Sequence, residues 1–298
     1  MMVVETRILA AEQWRERMEQ HLQRARRFTG PARERRDCGL PHPIADFLYE
    51  YYPFPFSTLE QWHPETGTTL QGDEGGWPTW FTPKRYASTS GAMRLDPARL
   101  GEKEIQRFHW IRGLLVATRD RPPNYGCHGL HEWAMVYRGR HVRHEKTLPL
   151  RLNQSEIDAL VESRPICCSH YDAFRFFAAE ARPLNRLQPA LHARGELEQP
   201  ACIHANMDLY KWAAKAMPWV GSDLLLDCFE LAVELRDLDM RASPYDLSAW
   251  GREAVRIETD SGRREYEEEQ RHLSARAKPC RERLIQQLTV LLANAEMQ

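Results

Sequence analysis

Residues Ser222–Arg241 read SDLLLDCFELAVELRDLDMR. Leu225, Phe229 and Val233 recur every fourth residue, with Leu224 and Leu238 beside them, which is the repeat of a helix with one buried face. Neither Gly nor Pro interrupts the twenty residues. The same patterning recurs elsewhere. Arg7–Phe28 places Leu, Trp, Met and Leu at helical spacing and is expected to stop at Gly30-Pro31. Asp96-Pro97 pairs an N-cap residue with a first-turn proline and should open a helix to about Thr118. Asn153 with Glu156 is a capping-box pattern that starts a helix to about Glu162. CHGLHEWAMVYR, SHYDAFRFFA and NMDLYKWAAKAM also read as helices. A charged helix from about Ser261 onward should bend or break at Pro279.

Two stretches depart from this pattern. Phe47–Phe56, FLYEYYPFPF, is an aromatic cluster cut by Pro53 and Pro55. Trp62–Gly91 is rich in Gly, Pro, Thr and Trp and reads as a long loop, the kind that is usually functional or mobile. Val255-Arg256-Ile257-Glu258 alternates like a short strand. The expected fold is therefore mostly α: a single compact helical domain with a long irregular loop region and at most a short hairpin. Within it, residues 1–30 form an N-terminal amphipathic basic helix and residues 31–298 a single helical domain.

Composition narrows the function. With 42% hydrophobic and 28% charged residues in 298, the chain can bury a sizeable core. No run of about 18 apolar residues appears, so no membrane span is expected. The first twenty residues lack an apolar signal core, and the seven cysteines show no regular spacing. Both features point to a cytoplasmic protein with reduced thiols. The net charge of −1 lacks the basic excess of a protein that grips phosphates throughout. Locally, Glu5–Arg36 holds nine Arg against five Glu. That is either a solvated helix laced with ion pairs or an arm that touches phosphate.

Three segments share one composition: CHGLHEWAMVY (127–137), CSHYDAFRFF (168–177) and CIHANMDLYKW (202–212). Each sets a Cys just before a His, a carboxylate within a turn, and aromatics after it. On a helix His204, Asp208 and Lys211 share a face, as do His128, His131 and Glu132. His170 and Asp172 stand two apart, and converge only if His170 is the N-cap and Asp172 lies inside the helix. Packed together, the segments would line one cavity with imidazoles and carboxylates. Such a set serves as a first shell for zinc, iron or manganese, with His128, His131, His170 and His204 as candidate ligands. It serves equally for metal-free acid–base catalysis by Asp208, Asp172, Glu132, His131, His204 and Lys211. The plain alternative is capping carboxylates, satisfied buried histidines and core aromatics. Cys127, Cys168 and Cys202 read as small buried residues. Further on, in ELRDLDMRASPYDL (234–247), Asp237 and Arg241 are i,i+4 partners. Arg241 with Tyr245 could hold a ligand phosphate or carboxylate.

The strings GCHGLHEWAMVYR, CSHYDAFRFF, HANMDLYKW and LDMRASPYDL resemble those of a bacterial family catalogued as 3-methyladenine DNA glycosylase. HPIADFLYEYY near the front and RIETDSGRREY near the back extend the resemblance over most of the chain. It implies an N-glycosylase that releases alkylated purine from DNA, with DNA as partner and no cofactor. Such an enzyme needs an aromatic pocket for a flipped base and a carboxylate near the sugar. Trp133, Phe174, Trp212 and Trp219 are candidates to stack the base, with Arg175, Tyr210, Arg241 and Tyr245 as further substrate contacts. The same inventory suits a divalent-metal enzyme acting on a small molecule or nucleoside, or a non-enzymatic helical binding protein.

Overall fold

The computed structural model of the chain describes residues 7–139 and 148–297. Its helices, in chain order, are α1 (Ala11–Cys38), α2 (Phe47–Tyr51), α3 (Phe56–Glu60), α4 (Glu102–Asp120), α5 (Leu130–Met135), α6 (Gln154–Glu162), α7 (Tyr171–Phe174), α8 (Arg194–Leu197), α9 (Ile203–Lys215), α10 (Ser222–Arg241) and α11 (Asp260–Glu296). Four short strands join them: β1 (Arg7–Leu9), β2 (Thr68–Gln71), β3 (Tyr86–Thr89) and β4 (Ala92–Leu95). No helix among the described residues is long and apolar enough to cross a membrane. The residues divide into two compact units, the first 1–115, 209–230 and 280–298, the second 116–208 and 231–279.

Helical character prevails as expected, but unit 1 carries a four-stranded sheet of order β1-β2-β4-β3. β3 and β4 form the anticipated hairpin, turning at Ser90-Gly91 where both φ angles are positive, the geometry of a type I′ turn. β4 also pairs antiparallel with β2, and β2 pairs parallel with β1. The expectation of at most a hairpin fails because strands of three or four residues are too short to show alternation. The pairing of Arg7 with Thr68 is also remote in sequence. Arg7–Leu9 is thus strand, where helix was expected.

Helix α1 does not stop at Gly30-Pro31. It continues to Cys38 and ends at Gly39, whose left-handed φ of 62° closes the helix, with Leu40 N donating to Arg35 O. A proline removes one backbone donor, and contacts on both sides of it hold the helix. Thr29 and Arg33 both bind Glu60, and Arg35 binds Asp46. The aromatic cluster packs in the core of this unit: Tyr49 meets Phe229, and Tyr52 and Phe54 lie edge-on to Tyr210.

The Asp96-Pro97 signal caps only a single turn, Pro97–Arg99, before α4 starts at Glu102. The Asn153 capping box holds as expected, with Asn153 Oδ1 accepting from Glu156 N and Glu156 Oε2 from Asn153 N. Val255–Glu258 is not a strand. Its alternation buries Val255 and Ile257 in an irregular loop. That loop packs so closely on the start of α11 that a Cβ at Gly262 would lie 2.0 Å from the Arg256 carbonyl oxygen. Nor does α11 break at Pro279. Buried Leu273 and Ala277 before it and Leu284, Leu288 and Leu291 after it anchor both halves, and that burial offsets the lost hydrogen bond.

Candidate functional site

Unit 2 brings the three Cys-His-carboxylate segments together. Gly129, at φ 74°, turns the chain into α5 and sets His131 and Glu132 in its first turn. His170 is the extended N-cap of α7, at φ −101° and ψ 121°, so it can meet Asp172 although they stand two apart. His204 and Asp208 lie one turn apart on α9. The imidazole rings form a row: His131 meets His204 edge-on at 4.6 Å, and His204 stacks on His170 at 5.6 Å.

One end of the row is anchored by α10. Asp239, fully buried, accepts from His131 Nε2 at 2.8 Å and from Arg236 Nη1 at 2.6 Å on its other oxygen. His204 Nε2 lies 3.9 Å from that second oxygen, and Glu132 lies 3.7 Å from Arg236. Burial pushes His131 down, but the neighbouring thiol of Cys127 and the hydrogen bond to Asp239 outweigh it, so its pKa stands well above the ordinary imidazole value. Burial also opposes the charge on Asp239. The hydrogen bond from His131 and the positive charges of His131, His204 and Arg236 nevertheless hold it below the usual carboxylate range. His204 goes the other way. Burial lowers it to about 3, more than Asp239 restores, and the charges of His131, His170 and Arg236 add to the drop. Two imidazoles in contact are thereby driven in opposite directions.

The other end is organised by Arg194, at 6% exposure. It donates to Asp208 at 2.6 Å and to Glu198 at 2.5 Å, and reaches Asp172 at 3.4 Å. His170 Nε2 lies 3.3 Å from Asp208 and 3.5 Å from Glu198, while its buried Nδ1 has no hydrogen-bond partner among the described residues. Burial disfavours charge on Arg194, yet Asp208, Glu198 and Asp172 raise its pKa further.

Beside the row lies a small cavity lined by Cys127, Cys167, Cys168, Cys202, His131, His204, Gln199, Tyr266 and Gln270. The centre of a water-sized sphere has about 10 Å³ to move in, room for a single water. Cys127 Sγ is 3.4 Å from His131 Nδ1. Burial pushes the Cys202 thiol up to about 12, and Cys168 also stands well above the ordinary thiol value.

Two sets can hold a cation. The ligand atoms of His131, Glu132, His204 and Asp239 all lie within 4.8 Å of one another, and so do those of His170, Asp172 and Asp208. Imidazole and carboxylate are suitable donors for zinc, iron or manganese. In the second set the Arg194 guanidinium already sits on Asp208, where a cation would compete with it.

Other expected site residues fall elsewhere. His128 belongs to neither set. It lies before α5, in a positive-φ turn of 45°, so the helical spacing to His131 does not exist. Trp133 is core, its indole N–H donating to Ala242 O, with the Arg151 guanidinium over its ring. Phe174 is buried against Phe177. Arg175 lies over Phe176, with its Nε 3.3 Å from Asp172. Tyr210, Lys211 and Trp212 belong to unit 1. There Tyr210 packs on Phe229, Lys211 sits over Tyr52 and Trp212, and Trp212 is buried against Trp110. Trp219 also belongs to unit 1 and is buried under Arg85. Arg241 binds Glu269 at 2.9 Å and lies 4.0 Å from Asp237, and Tyr245 is buried. Arg241 is therefore engaged by carboxylates of its own unit.

Asp239, Arg236, Arg194 and Glu198 were not anticipated. A signal for the first existed. Ala232, Leu235, Asp239 and Ala242 follow one helical face, all four fully buried, so Asp239 interrupts an apolar stripe. Arg194 and Glu198 lie in a segment with no such periodicity. No family model, curated protein or solved structure matches the chain.

Proposed function

We propose that unit 2 is a metal-dependent enzyme acting on a small molecule or nucleoside, with a divalent transition-metal ion held at the His131–His204 pair. The observation that carries this reading is the crowding of two imidazoles and two carboxylates within 4.8 Å of one another in a buried setting. Metal ligands must be deprotonated. His204 is neutral near neutral pH, and an ion at His131 takes the place of its proton. When bound, such an ion acidifies a water molecule or polarises a substrate oxygen. Asp239 orients His131, and His170 beside Asp208 stands ready to pass a proton. Elemental analysis tests the reading. Protein purified without added metal should carry stoichiometric zinc, iron or manganese, lost on His204→Ala. A clean preparation without metal overturns it.

The N-glycosylase implied by the resemblance is the competing proposal. It is favoured by the buried Asp208 carboxylate lying 3.3 Å from His170, a pairing suited to stabilising a cationic sugar. It needs no metal. Purified protein should then release free base from methylated DNA in the presence of a chelator, and Asp208→Asn should abolish the release. Absence of release sinks it. Against it stands the burial of Trp133 and Phe174 in the core, where neither offers an open face to a base.

A further inference from the structure

The metal reading leaves open on which side of His131 the ion sits. Both oxygens of Asp239 are engaged, one by His131 Nε2 and one by Arg236. That is the arrangement of a carboxylate that orients a metal-bound imidazole from its far nitrogen. The other nitrogen, Nδ1, faces Cys127 Sγ at 3.4 Å. In a tetrahedral site with a metal–sulfur distance of about 2.3 Å and a metal–nitrogen distance of about 2.0 Å, two such ligand atoms stand about 3.5 Å apart. The Cys127–His131 pair is already spaced as one edge of that tetrahedron.

The surroundings agree. Cys167, Cys168 and Cys202 line the same cavity as His131 and His204, so four thiols border a space with room for a single small atom or water. Gln270, 2% exposed, borders it too. Its Nε2 donates to Ala201 O, while its buried Oε1 has no partner among the described residues. A metal-bound water would supply the missing donor.

We propose that the ion is thiophilic, of the zinc(II) class, and that Cys127 binds it together with His131 Nδ1 in the cavity that His204 also lines, Asp239 serving as the outer carboxylate. Soft thiolate donors select such ions over magnesium, calcium or manganese. The inference rests on the metal reading above.

Cobalt(II) titration of the full chain tests it. The expected result is tetrahedral d–d absorption together with a thiolate-to-cobalt charge-transfer band in the near ultraviolet. Cys127→Ser should remove the charge-transfer band and weaken cobalt binding. If cobalt binds without that band, or the band persists in Cys127→Ser, the thiol assignment is overturned while the metal reading stands. If neither cobalt nor zinc binds, the metal reading itself falls. Should Cys127→Ser fail to fold, iodoacetamide labelling of the unaltered chain, mapped by mass spectrometry, replaces it. Zinc should then protect Cys127 from alkylation, and equal labelling with and without zinc overturns the assignment.

Discussion

Arg24 in unit 1 and Arg194 in unit 2 hold the same kind of partner in opposite surroundings. Arg24 grips Glu230 with two hydrogen bonds and Asp227 with a third, and all three side chains remain about one-third exposed. Arg194 grips Asp208 and Glu198 with all three groups at 6% exposure or less. In the exposed cluster each charge keeps much of its water, so the pairing adds little. In the buried one, removing a partner leaves charges with no substitute solvent, and the loss is large. The histidines repeat the lesson. His63 in unit 1 lies against the Tyr86 hydroxyl, and burial lowers it to about 4. His131 is more buried still, yet its thiol and carboxylate neighbours pull it upward. Burial alone discharges an imidazole, and a directly hydrogen-bonded carboxylate together with a thiol neighbour reverses the outcome at His131.

The comparison can be broken most directly at Arg194. Arg194→Met should lower the free energy of unfolding in urea by about 3–5 kcal/mol. A loss as small as that of an exposed pair would erase the distinction between the units. Asp239→Asn comes next, with a loss of about 2–3 kcal/mol from a charge-assisted buried hydrogen bond. It should also change the pH response. The raised pKa of His131 contributes stability that is full below its unfolded value of about 6.5 and lost as pH rises through the folded value. Thermal unfolding of Asp239→Asn across that range should show a smaller alkaline loss than the wild type, since the Cys127 neighbour remains.

His63→Gln sharpens the opposite case. The folded pKa of about 4 is lowered, so the stability it brings is present above about pH 6.5 and lost as pH falls toward 4. The wild type should therefore lose about 2 kcal/mol more than the variant over that window, and matching acid limbs would count against it. Arg24→Ala is the smallest effect, at most about 1 kcal/mol in the same urea assay. A larger loss would mean that its cluster behaves as a buried one.

Much of the local structure was legible in the chain. Ser222–Arg241 forms a helix with those bounds, and the Asn153–Glu156 box starts α6, because both signals involve groups within a turn of each other. His170 as N-cap follows from the same short-range logic. The meeting of the three Cys-His segments was legible as a possibility, since each carried the cost of polar groups among apolar neighbours. Asp239 could have been found by the same test, as a charge inside the Ala232–Leu235–Ala242 stripe. Arg194 could not, because its partners Asp208 and Asp172 come from other elements and its own short helix has no periodic face.

Gly30-Pro31 shows where local signals lose. The pair is a strong stop in isolation, yet Glu60 and Asp46 bind residues on either side of it and Gly39 closes the helix instead. Pro279 is overridden the same way, by leucines buried on both sides. The sheet was illegible for a different reason, since its strands are too short to carry a period and β1 pairs with β2, a strand remote from it in sequence.

By itself the sequence determined the helical character, several helix ends, and which three segments carried imidazole and carboxylate together, because each of these depends on neighbours within a turn or two. Only the tertiary structure decided that His131 would be drawn upward and His204 down to about 3. The reason is physical. A charge's preference is set by whatever lies within a few ångströms of it: His131 has the Cys127 thiol and a hydrogen bond to Asp239, whereas burial, with His131, His170 and Arg236 nearby, outweighs the pull of Asp239 on His204.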